Sequence, residues 1–278
     1  ATVALMCFAW VRASPAADSL KIDPLLLAEA TAVWEVIASK DNPIWPRWDA
    51  SGTPILIYIP AVEDVLINHP KPPSGFEPYT GPLGFPGGKI FTKTGGTLVE
   101  WDGQNTSKAV NGVETLIVAD TTSNRKTTLR GLLDDPRPAE TKLAEMTVRQ
   151  LAADPYKQMS TIAHEAFHVF QNKSATNKGA NERDVRLYPC LSVKNNVALA
   201  LEVKALVECL RAKDTKEARN AALRWLAIRQ DRRADLPKEV IDYEDGNEYM
   251  EGLAMYVEWR LPEVLKGRRP PEALHWAQ

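Results

Sequence analysis

Apolar residues along the chain follow two different periods, and the change of period separates two regions. Residues 24–40 have apolar side chains at helical spacing, and the preceding Asp23-Pro24 pair is typical of a helix start. Residues 54–60 are a short continuous apolar run bracketed by prolines, which favours a buried strand. We predict further strands at residues 89–93, 97–102 and 114–120, with turns at Gly95-Gly96 and Asn111-Gly112.

The second half of the chain has helical spacing almost throughout. We predict helices over residues 140–153, 155–171, 193–212, 215–233 and 247–260. Two segments of the first half have neither period: residues 43–48 place two tryptophans among prolines, and residues 70–88 are dense in proline and glycine. Strands therefore gather in residues 50–120 and helices in residues 140–278. This order predicts an α+β fold in a single domain over residues 18–278.

Composition and charge exclude several classes of protein. The chain has 278 residues, 44% of them hydrophobic and 25% charged, as in an ordinary soluble globular protein. Its formal net charge of −2 gives no reason to expect nucleic acid or an anionic membrane as a partner.

The N-terminal residues resemble the remnant of a secretory signal. Residues 1–11 are an apolar run, and the small residues Ser14 and Ala16 that follow suit a cleavage site. A membrane anchor would need about 20 apolar residues, and Arg12 interrupts the run too early; a buried helix is the other alternative. We expect residues 1–17 to be removed, which predicts a secreted or periplasmic protein without a membrane span in its mature chain.

The cysteines agree with export without requiring it. If Cys7 leaves with the signal, Cys190 and Cys209 remain, an even number suited to one disulfide. Two separate buried thiols are an equally simple interpretation.

The helix predicted over residues 155–171 contains the main candidate chemistry, His164-Glu165-x-x-His168. Residues four apart lie on one helical face, so both imidazoles can bind one zinc ion while Glu165 serves as general base. The simpler alternative is a pair of core histidines. It must also place an ionisable glutamate on a largely apolar helix, which is costly without a partner.

Catalytic zinc requires a third protein ligand and an open position for water. A histidine six residues after His168 is excluded because Ser174 stands there. Two carboxylates remain as candidates, Glu182 and Glu251. The segment around Glu182 has Arg186 four residues on, where thermolysin-like enzymes have an aspartate.

The segment Glu251-Gly252-x-x-x-Tyr256-x-Glu258 resembles the metal-binding helix of the gluzincin branch of zincin metallopeptidases. The resemblance implies a zincin-like catalytic domain in which a small sheet precedes the metal helix. It also implies that His164, His168 and Glu251 bind Zn²⁺ and that Glu165 is the base. Glu258 lies seven residues after Glu251 on the same helical face, where it could orient a metal ligand.

These residues predict a zinc-dependent peptidase acting on a peptide or protein substrate. We expect an oxyanion-stabilising group among Tyr188, Tyr249, Tyr256 and His275. We also expect the strand at residues 114–120 to pair with an extended substrate.

Two other functions compete with a peptidase. The chain could be a binding protein that keeps the zinc site without activity, which the intact Glu165 disfavours. It could also be a helical interaction protein without metal, in which residues 211–233 are the working face.

Overall fold

A computed structural model describes residues 20–81, 83, 85–86, 88–95, 103–124, 127, 155–175 and 178–266. Several expectations fall outside these residues: the signal remnant at 1–17, the strand at 97–102, the helix at 140–153 and the candidate His275.

The described part of the chain is mixed α+β, as the sequence predicted. Six strands form one sheet in the order β3-β4-β2-β1-β6-β5. Their bounds are β1 Ile55–Ile59, β2 Glu63–Ile67, β3 Glu77–Pro78, β4 Ile90–Thr94, β5 Thr106–Val110 and β6 Val113–Ala119. All neighbours are antiparallel except β1 and β6, which run parallel with Ile55 opposite Leu116.

The centre of the sheet is buried on both faces. Ile55, Leu56, Ile57 and Tyr58 of β1 are each no more than 2% exposed. Such a strand needs a continuous apolar run rather than an alternating one, which is why residues 54–60 were recognisable from the sequence. The predicted strands at residues 89–93 and 114–120 are confirmed as β4 and β6.

The hairpin between β5 and β6 turns at Asn111-Gly112, as predicted. Both residues have positive φ, 45° and 77°. A two-residue hairpin turn of this kind requires positive φ at both positions, which asparagine and glycine tolerate best.

The position of β6 contradicts one expectation. β6 lies between β1 and β5 and forms ladders with both. Its backbone groups are therefore already paired, and the prediction that the strand at residues 114–120 binds an extended substrate is wrong.

The first helix, α1, is Pro24–Ile37, and the Asp23 side chain accepts a hydrogen bond from the Leu25 amide at its start. The segment after it is irregular, as predicted, and is organised by Asn42. The Asn42 amide group donates to the carbonyls of Ile37 and Trp48, and its oxygen accepts from the Ile44 amide. These bonds fix the loop that contains Trp45 and Trp48.

The remaining helices are α2 Pro155–Ser174, α3 Val193–Leu210, α4 Thr215–Ala234, α5 Lys238–Asn247 and α6 Leu253–Lys266. A short 3₁₀ helix, Glu182–Leu187, precedes α3, and a π-helical turn, Glu248–Gly252, joins α5 to α6. The helices predicted over 155–171, 193–212 and 215–233 are confirmed as α2, α3 and α4. The helix predicted over 247–260 is instead the π turn followed by α6.

Backbone contacts divide the chain into two compact units. The first contains α1, the sheet, α2 and the residues of α6 from Val257 onward, and the second is Ser174–Tyr256. The single domain expected from the sequence stays a prediction.

In the described ranges, no helix is both long enough and apolar enough to cross a membrane. Cys190 and Cys209 are free thiols, the first exposed, and the Cys209 sulfur lies 3.4 Å from the Ala218 carbonyl oxygen. The disulfide alternative therefore does not hold in this structure.

Candidate metal centre

Helix α2 places the two motif histidines one turn apart on the same face. Their Nε2 atoms lie 3.0 Å from each other, and their rings are perpendicular, with centroids 4.7 Å apart. Two nitrogens bound to one tetrahedral zinc at about 2.0–2.1 Å would be separated by about 3.3 Å. The pair is therefore close to the spacing that a shared metal ion needs.

Gln171 fixes the ring of His168. Its side-chain oxygen lies 2.8 Å from His168 Nδ1, and both residues are buried. Because an amide oxygen only accepts, Nδ1 carries the proton and donates it, which leaves the Nε2 lone pair available. Gln171 lies three residues after His168 on the same helix, a spacing that brings the two side chains together.

Glu258 of α6 orients the other histidine. Its Oε2 lies 3.2 Å from His164 Nδ1, and both side chains are only 12% exposed. Its other oxygen, Oε1, pairs with Lys157. The contact with His164, helped by Lys157 and opposed by burial, lowers the pKa of Glu258 to about 2. Glu258 therefore remains a carboxylate 3.2 Å from His164 Nδ1, where its charge favours a proton on that nitrogen and so leaves Nε2 of His164 to face His168.

The two orienting contacts together favour a cation. With both Nδ1 atoms protonated, two Nε2 lone pairs face each other at 3.0 Å. Lone pairs at this distance repel unless a proton or a metal ion lies between them. The chemistry of the donor set thus fits zinc, which binds neutral imidazole nitrogen.

The third candidate ligand, Glu251, belongs to the π turn that leads into α6. His164, His168 and Glu251 form a group of candidate metal ligands, of which the two histidines belong to the first compact unit and Glu251 to the second. Within the described ranges this is the one group of three such residues that could hold a metal. Glu251 is exposed, as a ligand bordering an open coordination position would be.

The rival ligand Glu182 is not part of this group. It lies at the start of the 3₁₀ helix and is exposed. The thermolysin-like alternative therefore gains no support from the described residues.

Glu165 lies beside His164 on α2 and is partly buried. Among the oxyanion candidates, Tyr188 is already engaged, because its hydroxyl donates to Glu244 Oε1 at 2.9 Å. Burial of this hydroxyl raises the pKa of Tyr188 above its usual range. Tyr249 is partly buried and Tyr256 is 46% exposed.

Aromatic packing around Phe167 holds helix α2 in place. Phe167 is 1% exposed, and its ring lies 5.1 Å from those of both Trp45 and Trp48 in edge-on contacts. The loop organised by Asn42 thus supports the turn of α2 between the two histidines.

Sequence reasoning missed two residues of this centre, Gln171 and Lys157. Gln171 could have been found as the polar residue one turn after His168. Lys157 lies seven residues before His164, on the same helical face, and is one of few charges on that face.

No protein-family model, no curated protein and no solved structure matches the chain.

Proposed function

We propose that this chain is a zinc-dependent peptidase with a zincin-like catalytic domain, in which His164, His168 and Glu251 bind Zn²⁺. The observation that carries the proposal is the spacing of the His164 and His168 imidazoles, whose Nε2 atoms lie 3.0 Å apart. In the described ranges, Glu251 completes the one group of three residues that could hold a metal. The contacts of Gln171 and Glu258 with the Nδ1 atoms add to it. A pair of core histidines would not need a carboxylate and an amide to keep both Nε2 lone pairs directed at one point.

Zinc at this centre would supply a Lewis acid that activates water and polarises a substrate carbonyl. The residues of the chain do the rest. Glu165 takes one proton from the attacking water as its hydroxyl adds to the carbonyl carbon. Glu165 then gives that proton to the amide nitrogen as the C–N bond breaks, so that one water is consumed and Glu165 is regenerated.

The first experiment measures metal content by mass spectrometry on purified wild type, Glu251→Ala and the control Glu263→Ala. Glu263 is an exposed residue of α6 that pairs with Arg260. We expect about one zinc per chain in wild type and in the control, and a large loss in Glu251→Ala. Zinc retained by Glu251→Ala would overturn the ligand assignment. Absence of zinc in wild type after reconstitution would overturn the peptidase and favour a helical interaction protein.

Activity is tested separately on a peptide library with zinc-loaded wild type and Glu165→Gln. The substitution keeps the size of the side chain and removes the base. We expect cleavage by wild type and a loss of at least about 100-fold in Glu165→Gln at unchanged zinc content. Zinc binding without any cleavage by wild type would instead support the inactive binding protein.

A further inference from the structure

The second unit has an unusual interior, because its helices bury charges rather than large apolar side chains. The buried residues of α3, α4 and α5 are Asn195, Glu202, Ala205, Ala221, Arg232, Val240, Glu244 and Gly246. Only Val240 is a large aliphatic residue. Buried ion pairs are a poor source of stability compared with apolar packing of the same volume. The best-attested role of buried ion pairs is to fix which groups face each other. The partners of these buried charges therefore indicate which helices and turns they orient.

Arg232 lies at the centre of this interior, with a side chain that is 2% exposed. Its Nε donates to Glu202 of α3 at 2.8 Å. Its two terminal nitrogens donate to both oxygens of Glu244 of α5, at 2.6 and 2.9 Å. This two-pronged bond fixes the orientation of α5 more tightly than a single contact would, because guanidinium and carboxylate must be coplanar.

Two neighbouring arginines of α4 extend the same pattern toward the π turn. Arg229 donates through Nη2 to both oxygens of Glu248, at 2.8 and 2.7 Å, and is only 12% exposed. Arg233 donates to Glu244 at 3.0 Å and to Asp245 at 2.7 Å. Acidic residues at the end of α5 and at the start of the turn thus meet a row of arginines on α4.

Glu248 is the first residue of the π turn Glu248–Gly252, and Glu251 belongs to the same turn. π-helical turns are rare, and they are frequently found at functional sites. Contacts from outside the turn restrict its movement. In the second unit, the contact of Arg229 with Glu248 is one of these.

We infer that Arg229, supported by Arg232 and Arg233, is a positioning residue that fixes the backbone of the π turn that contains the candidate ligand Glu251. The inference rests on the proposed zinc site. Arg229 itself contacts no metal ligand in the bonds described above; it acts through Glu248.

The test measures zinc affinity by competition with a chromophoric chelator in Arg229→Gln and Arg229→Lys. The matched control is Arg224→Gln, on the same helix, whose arginine pairs with Glu208 at the exposed surface. We expect Arg229→Gln to weaken zinc binding about 10–100-fold, as loss of other ligand-orienting contacts does. Arg229→Lys should fall between this variant and wild type, since lysine keeps the charge and loses the fork. Arg224→Gln should bind as wild type does.

The same substitution in a protein that also has Glu251→Ala separates a positioning role from general destabilisation. In Glu251→Ala the turn has no ligand to position, so Arg229→Gln should change the remaining zinc affinity less than about twofold. Hydrogen exchange without metal provides a further readout. Amides of residues 248–252 should exchange faster in Arg229→Gln, while those of α2 should not.

The outcomes are distinguishable. Zinc binding by wild type with unchanged affinity in Arg229→Gln would overturn the positioning role alone. Equal weakening with and without Glu251 would also overturn it, because the effect would then be general. No zinc binding by wild type would overturn the proposed function and this inference together.

Discussion

Nδ1 of His164 lies 3.2 Å from Oε2 of Glu258, whose other oxygen pairs with Lys157. A histidine of α2 is thereby tied to a carboxylate of α6, and that carboxylate is ionised at every pH above about 3 because its pKa is about 2. The charge of this carboxylate thus favours a proton on Nδ1 of His164 throughout the neutral pH range.

Glu258→Ala tests this contact. Without the carboxylate, His164 is free to rotate and to protonate either nitrogen, so zinc should bind about 10–100-fold more weakly. Competition with a chromophoric chelator measures the change, and Glu263→Ala on the same helix is the control. Wild-type affinity in Glu258→Ala would show that the 3.2 Å contact has no part in metal binding.

Gln171→Leu removes the acceptor for His168 Nδ1 while nearly preserving side-chain volume. The imidazole N–H would then be buried without this partner, and we expect zinc affinity to fall about tenfold or more. Gln171→Glu keeps an acceptor at the same place and should bind zinc close to the wild-type level. If both variants lost affinity equally, burial rather than hydrogen bonding would be responsible.

Phe167→Ala should destabilise the fold by about 3–5 kcal/mol, because the ring is buried between two tryptophans and its loss leaves a cavity. Urea unfolding in the presence of a chelator measures this without a contribution from metal. Trp259→Ala is the control: Trp259 is 73% exposed, so its truncation should change stability by no more than about 0.5 kcal/mol. Similar losses in both variants would contradict the packing described for α2.

The surroundings of His69 predict that the free energy of unfolding depends on pH. Its Nε2 lies 3.0 Å from the Val110 carbonyl and its Nδ1 accepts from the Lys71 amide, so both nitrogens are used in the neutral form. Burial, only partly offset by these bonds, lowers its pKa below the usual 6.5. The unfolded chain therefore binds the proton more readily. The stability that His69 contributes is present above pH 6.5 and is lost as pH falls through the lower folded-state pKa.

Urea unfolding of wild type and His69→Gln at about pH 7.5 and about pH 5 measures this contribution. Wild type should lose more stability than the variant on acidification. An equal loss in both proteins would show that other groups account for the acid sensitivity.

Local patterns were enough to predict much of the fold and the histidine pair of the site. The helix that contains His164 follows from uninterrupted 3.6-residue spacing, and β1 follows from an apolar run between prolines. The strand β2 was missed because it begins with Glu63 and Asp64, and nothing local indicates that Asp64 is fully buried.

Long-range contacts account for the remaining errors. Helix α5 is rich in acidic residues and was not predicted, since its stabilising partners are arginines of α4 that lie 12 positions earlier in the chain, beyond one helical turn. The π turn is equally invisible in a periodicity analysis, because one inserted residue shifts the phase without changing composition. Gln171 and Lys157 belong to the candidate metal centre through specific side-chain contacts. Helical spacing allows these contacts but does not show which of the possible partners is used.

Placing α3, α4 and α5 between the histidine pair and the candidate ligand Glu251 has a consequence for biosynthesis. The histidine pair is complete as soon as α2 has left the ribosome, whereas Glu251 follows about 80 residues later. At about 5–20 residues per second this interval lasts roughly 4–16 s. During that time the nascent chain presents two imidazoles without the carboxylate. Under the proposed function, binding by all three ligands therefore waits until the π turn has been synthesised, well after the histidine pair.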